Sequence, residues 1–179
     1  MKKTIILLNF AIISFSLFAA VLQVPESFTT IQSALDSASE SDTVSVAAGI
    51  YHESIFWPEV NGIKLLGSGE DVTIIEGDTT QRVISCYVDN PIDRTTLIAG
   101  FTIRNGNGGL YFYNSSPTLR NLIITNNSSG AGGGLFCFQR SNVLIENSKI
   151  VNNSALSHGG AIVGDFSSDV ELVNVILKN

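Results

Sequence analysis

Short apolar positions alternate with polar ones through most of this 179-residue chain, in runs too brief for helices. Val143-Leu144-Ile145-Glu146-Asn147 and Val170-Glu171-Leu172-Val173-Asn174 are typical. Period-two patterning, β-branched enrichment and punctuation by Gly, Asn and Ser predict strands. The runs also repeat. Placing Gly132-Gly133-Gly134-Leu135 over Gly159-Gly160-Ala161-Ile162 is a shift of 27, and without a gap it sets Val143 on Val170, Ile145 on Leu172, Asn147 on Asn174 and Ile150 on Leu177. One repeat earlier the shift is 25 or 26, with Gly108-Gly109-Leu110 on Gly133-Gly134-Leu135 and Leu119, Asn121, Ile124 and Asn126 on Ile145, Asn147, Ile150 and Asn152. Ile98, Gly100, Ile103 and Asn105 echo the pattern at a shift of 21. Loops that vary while strands keep register describe a solenoid. So many glycines in a 27-residue unit leave no room for two helices. The expected fold is therefore all-β: a right-handed parallel β-helix, a single-stranded solenoid with three short strands per coil, in which each repeat needs its neighbours to bury its inner face.

Asn121, Asn147 and Asn174 fall in one column, and Asn105, Asn126, Asn152 and Asn179 in another. Asparagine tolerates the left-handed backbone of tight turns, and stacked amides can hydrogen-bond from coil to coil, so both columns are read as corner ladders. Asn114, Asn127 and Asn152 also stand in Asn-x-Ser form, which matters only in a glycosylating pathway. Upstream, Thr29-x-x-Gln32 has the form of a capping box, and Ile31, Ala34, Leu35 and Ala38 share a helical face. A short helix there would cap the open end of the core. Residues 21–42 are thus an N-terminal cap, and residues 43–179 are about five or six coils, with less regular strands at 63–67 and 72–77. The chain stops on a ladder position; the expectation is a fragment of a longer surface protein, the alternative a last coil that pairs with another molecule.

Residues 1–20 read differently. Lys2 and Lys3 precede an apolar run from Ile5 to Phe18 that closes on Ala19 and Ala20, the pattern of a secretory signal peptide and short for a membrane span. Cutting after Ala19 or Ala20 leaves Leu17 or Phe18 where a small residue is preferred, so no single bond is assigned. The reading is a secreted or cell-surface protein with no membrane span after signal removal. Losing two of the ten basic residues would take the net charge from -6 to about -8. No Lys/Arg cluster offers the basic face that nucleic acid requires. Cys86 and Cys137 are too few for a disulfide scaffold; they are bonded to each other or, the preferred reading, small buried apolar residues. No spacing suits zinc or another metal, and no cofactor is implied.

The repeats resemble the right-handed parallel β-helix, or pectate-lyase-like, superfamily. The Gly-Gly-Gly-Leu and Gly-Gly-Ala-Ile starts, each followed by Val-x-Ile/Leu-x-Asn, are similar to those of polymorphic outer membrane proteins and secreted bacterial β-helix proteins. Ile31-Gln32-Ser33-Ala34-Leu35 through Gly49-Ile50-Tyr51-His52-Glu53 resembles the start of pectin methylesterases. The resemblance covers about residues 24–179 and implies a fold rather than an activity, since one scaffold hosts lyases, hydrolases, esterases and adhesins.

No catalytic centre is evident. Glycoside hydrolysis needs two flanking carboxyl groups, and the regular coils hold only Glu146, Asp165, Asp169 and Glu171. Arg82, Arg94, Arg104, Arg120 and Arg140 are scattered, without the calcium-binding acidic trio of a lyase beside them. Gly164-Asp165-Phe166 matches only two residues of the esterase motif. His52 and His158 stand alone, His158 as a solvated loop residue. A binding surface is better supported: if Leu110, Leu135 and Ile162 point inward, then Tyr111, Tyr113, Phe136 and Phe138 point outward as a strip of rings. Rings suit sugars and partner proteins alike, unless the loops 115–117 and 139–142 cover them. Trp57 belongs to core or cap. The leading expectation is a non-catalytic module that binds polysaccharide or a cell-surface partner; the alternatives are a polysaccharide-degrading enzyme or esterase, and a structural spacer.

Overall fold

The structure is a computed structural model that describes residues 19–178. The expected export segment, save its last two residues, and Asn179 lie outside them. Three runs of rungs wind about one core. On the first face β1 (Val21–Val24), β2 (Thr43–Val46) and β5 (Lys64–Gly67) lead into the long strands β8 (Leu97–Arg104), β10 (Thr118–Thr125), β13 (Asn142–Val151) and β16 (Asp169–Lys178), all parallel neighbours in that order. The second face holds β3 (Gly49–His52) and β6 (Thr73–Glu76), which pair with each other, β6 then pairing with the latter half of β8. The third is a five-stranded parallel sheet of β4 (Ile55–Phe56), β7 (Ile84–Tyr87), β9 (Leu110–Tyr113), β12 (Leu135–Phe138) and β15 (Ile162–Asp165). The last coils add a fourth strand, β11 (Ser128–Ala131) paired with β14 (Ser154–His158). The result is an all-β parallel solenoid of about six turns.

The long strands serve two faces because each turns a corner at one left-handed residue. Gly100, Asn121, Asn147 and Asn174 have φ of 79°, 52°, 48° and 55°. Only Gly, or Asn with its short polar side chain, adopts this geometry cheaply. Asn105, Asn126 and Asn152 make the next corner, at 61°, 55° and 54°. Along the first Asn column the Asn174 Nδ2 donates to Asn147 Oδ1 at 2.8 Å.

The register matches the spacing in the sequence: Ile98 stands beside Leu119, Leu119 beside Ile145, and Ile145 beside Leu172. Val44, Leu65, Ile98, Leu119 and Ile145 form a fully buried column, and Ile75, Ile103, Ile124 and Ile150 a second. Ile55, Ile84, Leu110 and Leu135 form a third. Each such side chain contributes roughly 1.5–3 kcal/mol when wholly withdrawn from water. At the last coil the columns open, leaving Leu172 42% and Leu177 47% exposed.

The cap differs from expectation in two ways. It contributes a strand, β1, that extends the first face ahead of β2. The helix α1 (Ile31–Ser37) is capped by Thr30, not Thr29: the Thr30 hydroxyl accepts from the Ser33 N–H at 3.1 Å. Gln32 therefore sits one place too early for a capping box, and its amide instead completes the short strand β4, donating to the Phe56 carbonyl at 2.9 Å and accepting its N–H at 2.8 Å. The free N–H groups of Ile31 and Gln32 donate to the two carboxylate oxygens of Glu53 at 2.9 and 3.0 Å. Ile31, Ala34 and Leu35 are wholly buried and Ala38 nearly so, closing the first end of the core as the helical face predicted.

Candidate functional site

Outward side chains of the third sheet are set by the parity of its strands. Leu110, Phe112, Leu135 and Cys137 are fully buried, so Tyr111, Tyr113, Phe136 and Phe138 face out, each half-buried. Register puts Phe136 beside Tyr111 and Phe138 beside Tyr113. The strip is longer than the four expected rings, because Tyr87 lies beside Tyr113 and Phe166 packs on Phe138. Ring centroids along this column are 4.3, 6.0 and 4.7 Å apart from Tyr87 to Phe166. Tyr87 and Phe166, at its two ends, are each 65% exposed. Tyr111 and Phe136 meet edge to face at 5.6 Å, as do Phe136 and Phe138 at 5.8 Å. The inner rings thus spend part of their surface on each other and leave the rest partly exposed.

Arg82 was not separable from the other arginines by sequence, yet it is built into this strip. Its guanidinium lies 5.5 Å from the Tyr111 ring centre and 5.6 Å from that of Phe136. Nη1 donates to the carbonyls of Leu110 and Gly132 at 3.1 and 2.9 Å, and Nη2 to that of Ala131 at 2.7 Å. A Cβ on Gly108, whose φ is +94°, would stand 2.5 Å from Nη1 and displace the guanidinium from this position. Burial lowers the Arg82 pKa, opposed by the neighbouring Tyr111. Beside Phe136, a hollow of about 340 Å³ is lined by Ala131, His158, Val163, Gly164 and Asp165. His158 is exposed, as expected, but stands on β14 rather than in a loop.

The remaining candidates fall elsewhere. His52 is not alone: its Nδ1 lies 3.4 Å from Glu76 Oε2, in the column His52–Glu76–Arg104 on the second face. Hydrogen bonds from Arg104 and Asn105 hold the Glu76 carboxyl below its ordinary pKa. Arg94 and Arg120 pair with Glu171 and Glu146 on the first face. Cys86 and Cys137 are free and buried, both beside Phe112, one on either side of it. Burial pushes their thiols up, to about 11 and about 12. Trp57 is buried in the core at 4% exposure. Among the described residues no group of three or more His, Cys, Asp or Glu is placed to hold a metal ion. No helix among them is long and apolar enough to cross a membrane.

No family model matches the sequence, and no curated protein does. Solved structures do match the fold. An alginate lyase from Paenibacillus sp. str. FPU-7 superposes with a TM-score of 0.69 at 17% identity, over 88% of this chain and 58% of its own. A pectin methylesterase variant, solved with a hexasaccharide, superposes with a TM-score of 0.55 at 15% identity, over 90% of this chain and 66% of its own. The chain spans less than two thirds of either enzyme. The likeness is one of fold: this is a parallel β-helix of the kind those enzymes share.

Proposed function

We propose that this chain is a secreted or cell-surface parallel β-helix module that binds polysaccharide through the aromatic strip of its third sheet and carries no catalysis of its own. The observation behind this reading is the strip itself, outward-facing rings on successive coils with exposed rings at both ends. Rings in such an array present apolar surface and phenol hydroxyls together, which suits sugars better than a purely apolar partner. Export rests on the sequence of residues 1–20. That the two solved neighbours are, by name, an alginate lyase and a pectin methylesterase supports a polysaccharide partner.

Purified protein run through gels containing alginate, pectin or neutral glycans tests it directly. Retardation by at least one polymer, lost when Tyr111, Tyr113, Phe136 and Phe138 are replaced by Ser in a chain that still folds, is the expected result. Retardation that survives those replacements would put the site elsewhere. Release of shortened or unsaturated sugars, or of methanol, would replace the binding role with an enzymatic one.

A further inference from the structure

We infer that Arg82 makes the strip selective for saccharides bearing an acidic group, carboxylate or sulfate, at the position over Tyr111 and Phe136. The inference rests on the strip as a saccharide site and adds its charge preference.

The argument starts from how Arg82 is held. Its three hydrogen-bond partners are backbone carbonyls from two different coils, which fix the guanidinium without neutralising it. Arg94, Arg104 and Arg120 each have a carboxylate within 3.1 Å, whereas Arg82, like the exposed Arg140, has none among the described residues. Of its five N–H donors, Nε–H and one hydrogen on Nη2 have no protein partner among the described residues. A half-buried cation left without a counter-charge is costly, and its lowered pKa reflects that cost.

Structural need does not account for the expense. The three carbonyls could be satisfied by neutral donors. Instead Gly108 leaves the space a guanidinium occupies. The molecule is acidic overall, with a net charge of -6, so a cation at the strip is opposite in sign to the chain's net charge. It lies against two of the rings, Tyr111 and Phe136. An anionic substituent on a sugar resting at these rings would meet the two remaining N–H groups in a charge-assisted contact.

The test uses the full chain and polymers that differ only in charge. Low-ester pectin is compared with fully methyl-esterified pectin, and dextran sulfate with dextran, at several salt concentrations. The wild type is expected to bind the acidic member of at least one pair at least tenfold tighter at low salt, with the preference shrinking as salt rises. The pair that responds shows whether carboxylate or sulfate is the group. Arg82→Gln should reduce that preference to less than twofold, and Arg82→Lys should restore part of it. Equal wild-type affinity for acidic and neutral members overturns the charge preference and leaves the strip intact as a binding site. No binding to any of the four overturns the strip as well. Because the wild-type comparison needs no variant, the outcome stands even if Arg82→Gln fails to fold.

Discussion

Asn153 Oδ1 accepts two hydrogen bonds from Asn127, one coil earlier: the backbone N–H at 3.0 Å and the side-chain Nδ2 at 3.1 Å. Asn127 in turn accepts the Gly106 N–H at 3.0 Å and donates to the Ile103 and Thr125 carbonyls at 3.1 Å. At 1% and 3% exposure these two amides form a polar ladder inside the solenoid. Removing one amide strands several buried backbone groups, each costing about 1–3 kcal/mol. Asn127→Ala should therefore lower unfolding free energy by about 2–4 kcal/mol in urea denaturation. Asn126→Gly, at the adjacent exposed corner with φ of 55°, should change it by less than about 1 kcal/mol. Equal effects would deny the interior ladder its role.

The ring column makes a second prediction. Tyr113 contacts both Tyr87 and Phe138. Tyr113→Ser should cost about 1–3 kcal/mol, at about 0.5–1.5 per ring pair, and flatten the near-ultraviolet circular dichroism. Removing Phe166, a terminal ring, should cost less than Tyr113 does. A spectrum unchanged in Tyr113→Ser would mean that the rings do not couple.

Acid sensitivity follows from Glu76. Its folded pKa is depressed, by the Arg104 hydrogen bond first and that of Asn105 next, so its stabilising contribution is complete above the unfolded value near 4.3. It is lost as pH falls through the lower folded value. Stability measured between pH 5 and pH 3 should decline less steeply in Glu76→Gln than in the wild type, with the variant the less stable at neutral pH. Parallel curves would remove Glu76 from the account.

Thiol chemistry offers a check on the core. With pKa values near 11 and 12 and no exposure, Cys86 and Cys137 should resist a thiol reagent at pH 8 in the native state and react together on unfolding. Rapid native labelling of either would show that the coils open there.

At the cap, Glu53→Gln should leave two helix N–H groups weakly held, destabilising α1 by about 1 kcal/mol. Faster amide exchange at Ile31 and Gln32 is the measurement; unchanged exchange would assign the capping to water.

The coils were legible because every strand repeats one alternation at nearly constant spacing, so Ile98, Leu119 and Ile145 name their own column. What escaped lay where local pattern carries no sign. The four residues of β1 follow directly on an apolar segment, and their alternation is lost in it. The repeat spacing placed Asn126 and Asn152 at corners, but nothing in it marked their neighbours Asn127 and Asn153 as the pair that turns inward and carries the buried amide ladder. The outward parity of Tyr111, Tyr113, Phe136 and Phe138 was readable from their inward neighbours; how rings pack on one another was not. Arg82 precedes β7 in an irregular stretch, and its relation to Gly108 and Gly132 exists only across coils.

Residue pairing in this molecule also works as a ruler. Leu110 meets Leu135, and Leu135 meets Ile162, although 25 residues separate the first pair and 27 the second. Extra length is absorbed in loops without moving a rung. Copying the coil that carries Phe136 and Phe138 would therefore add two rings to the strip at an unchanged pitch, whereas inserting a single residue within a strand would turn the rings beyond it inward. Lineages of such proteins can lengthen the strip by duplication, counted in whole rungs.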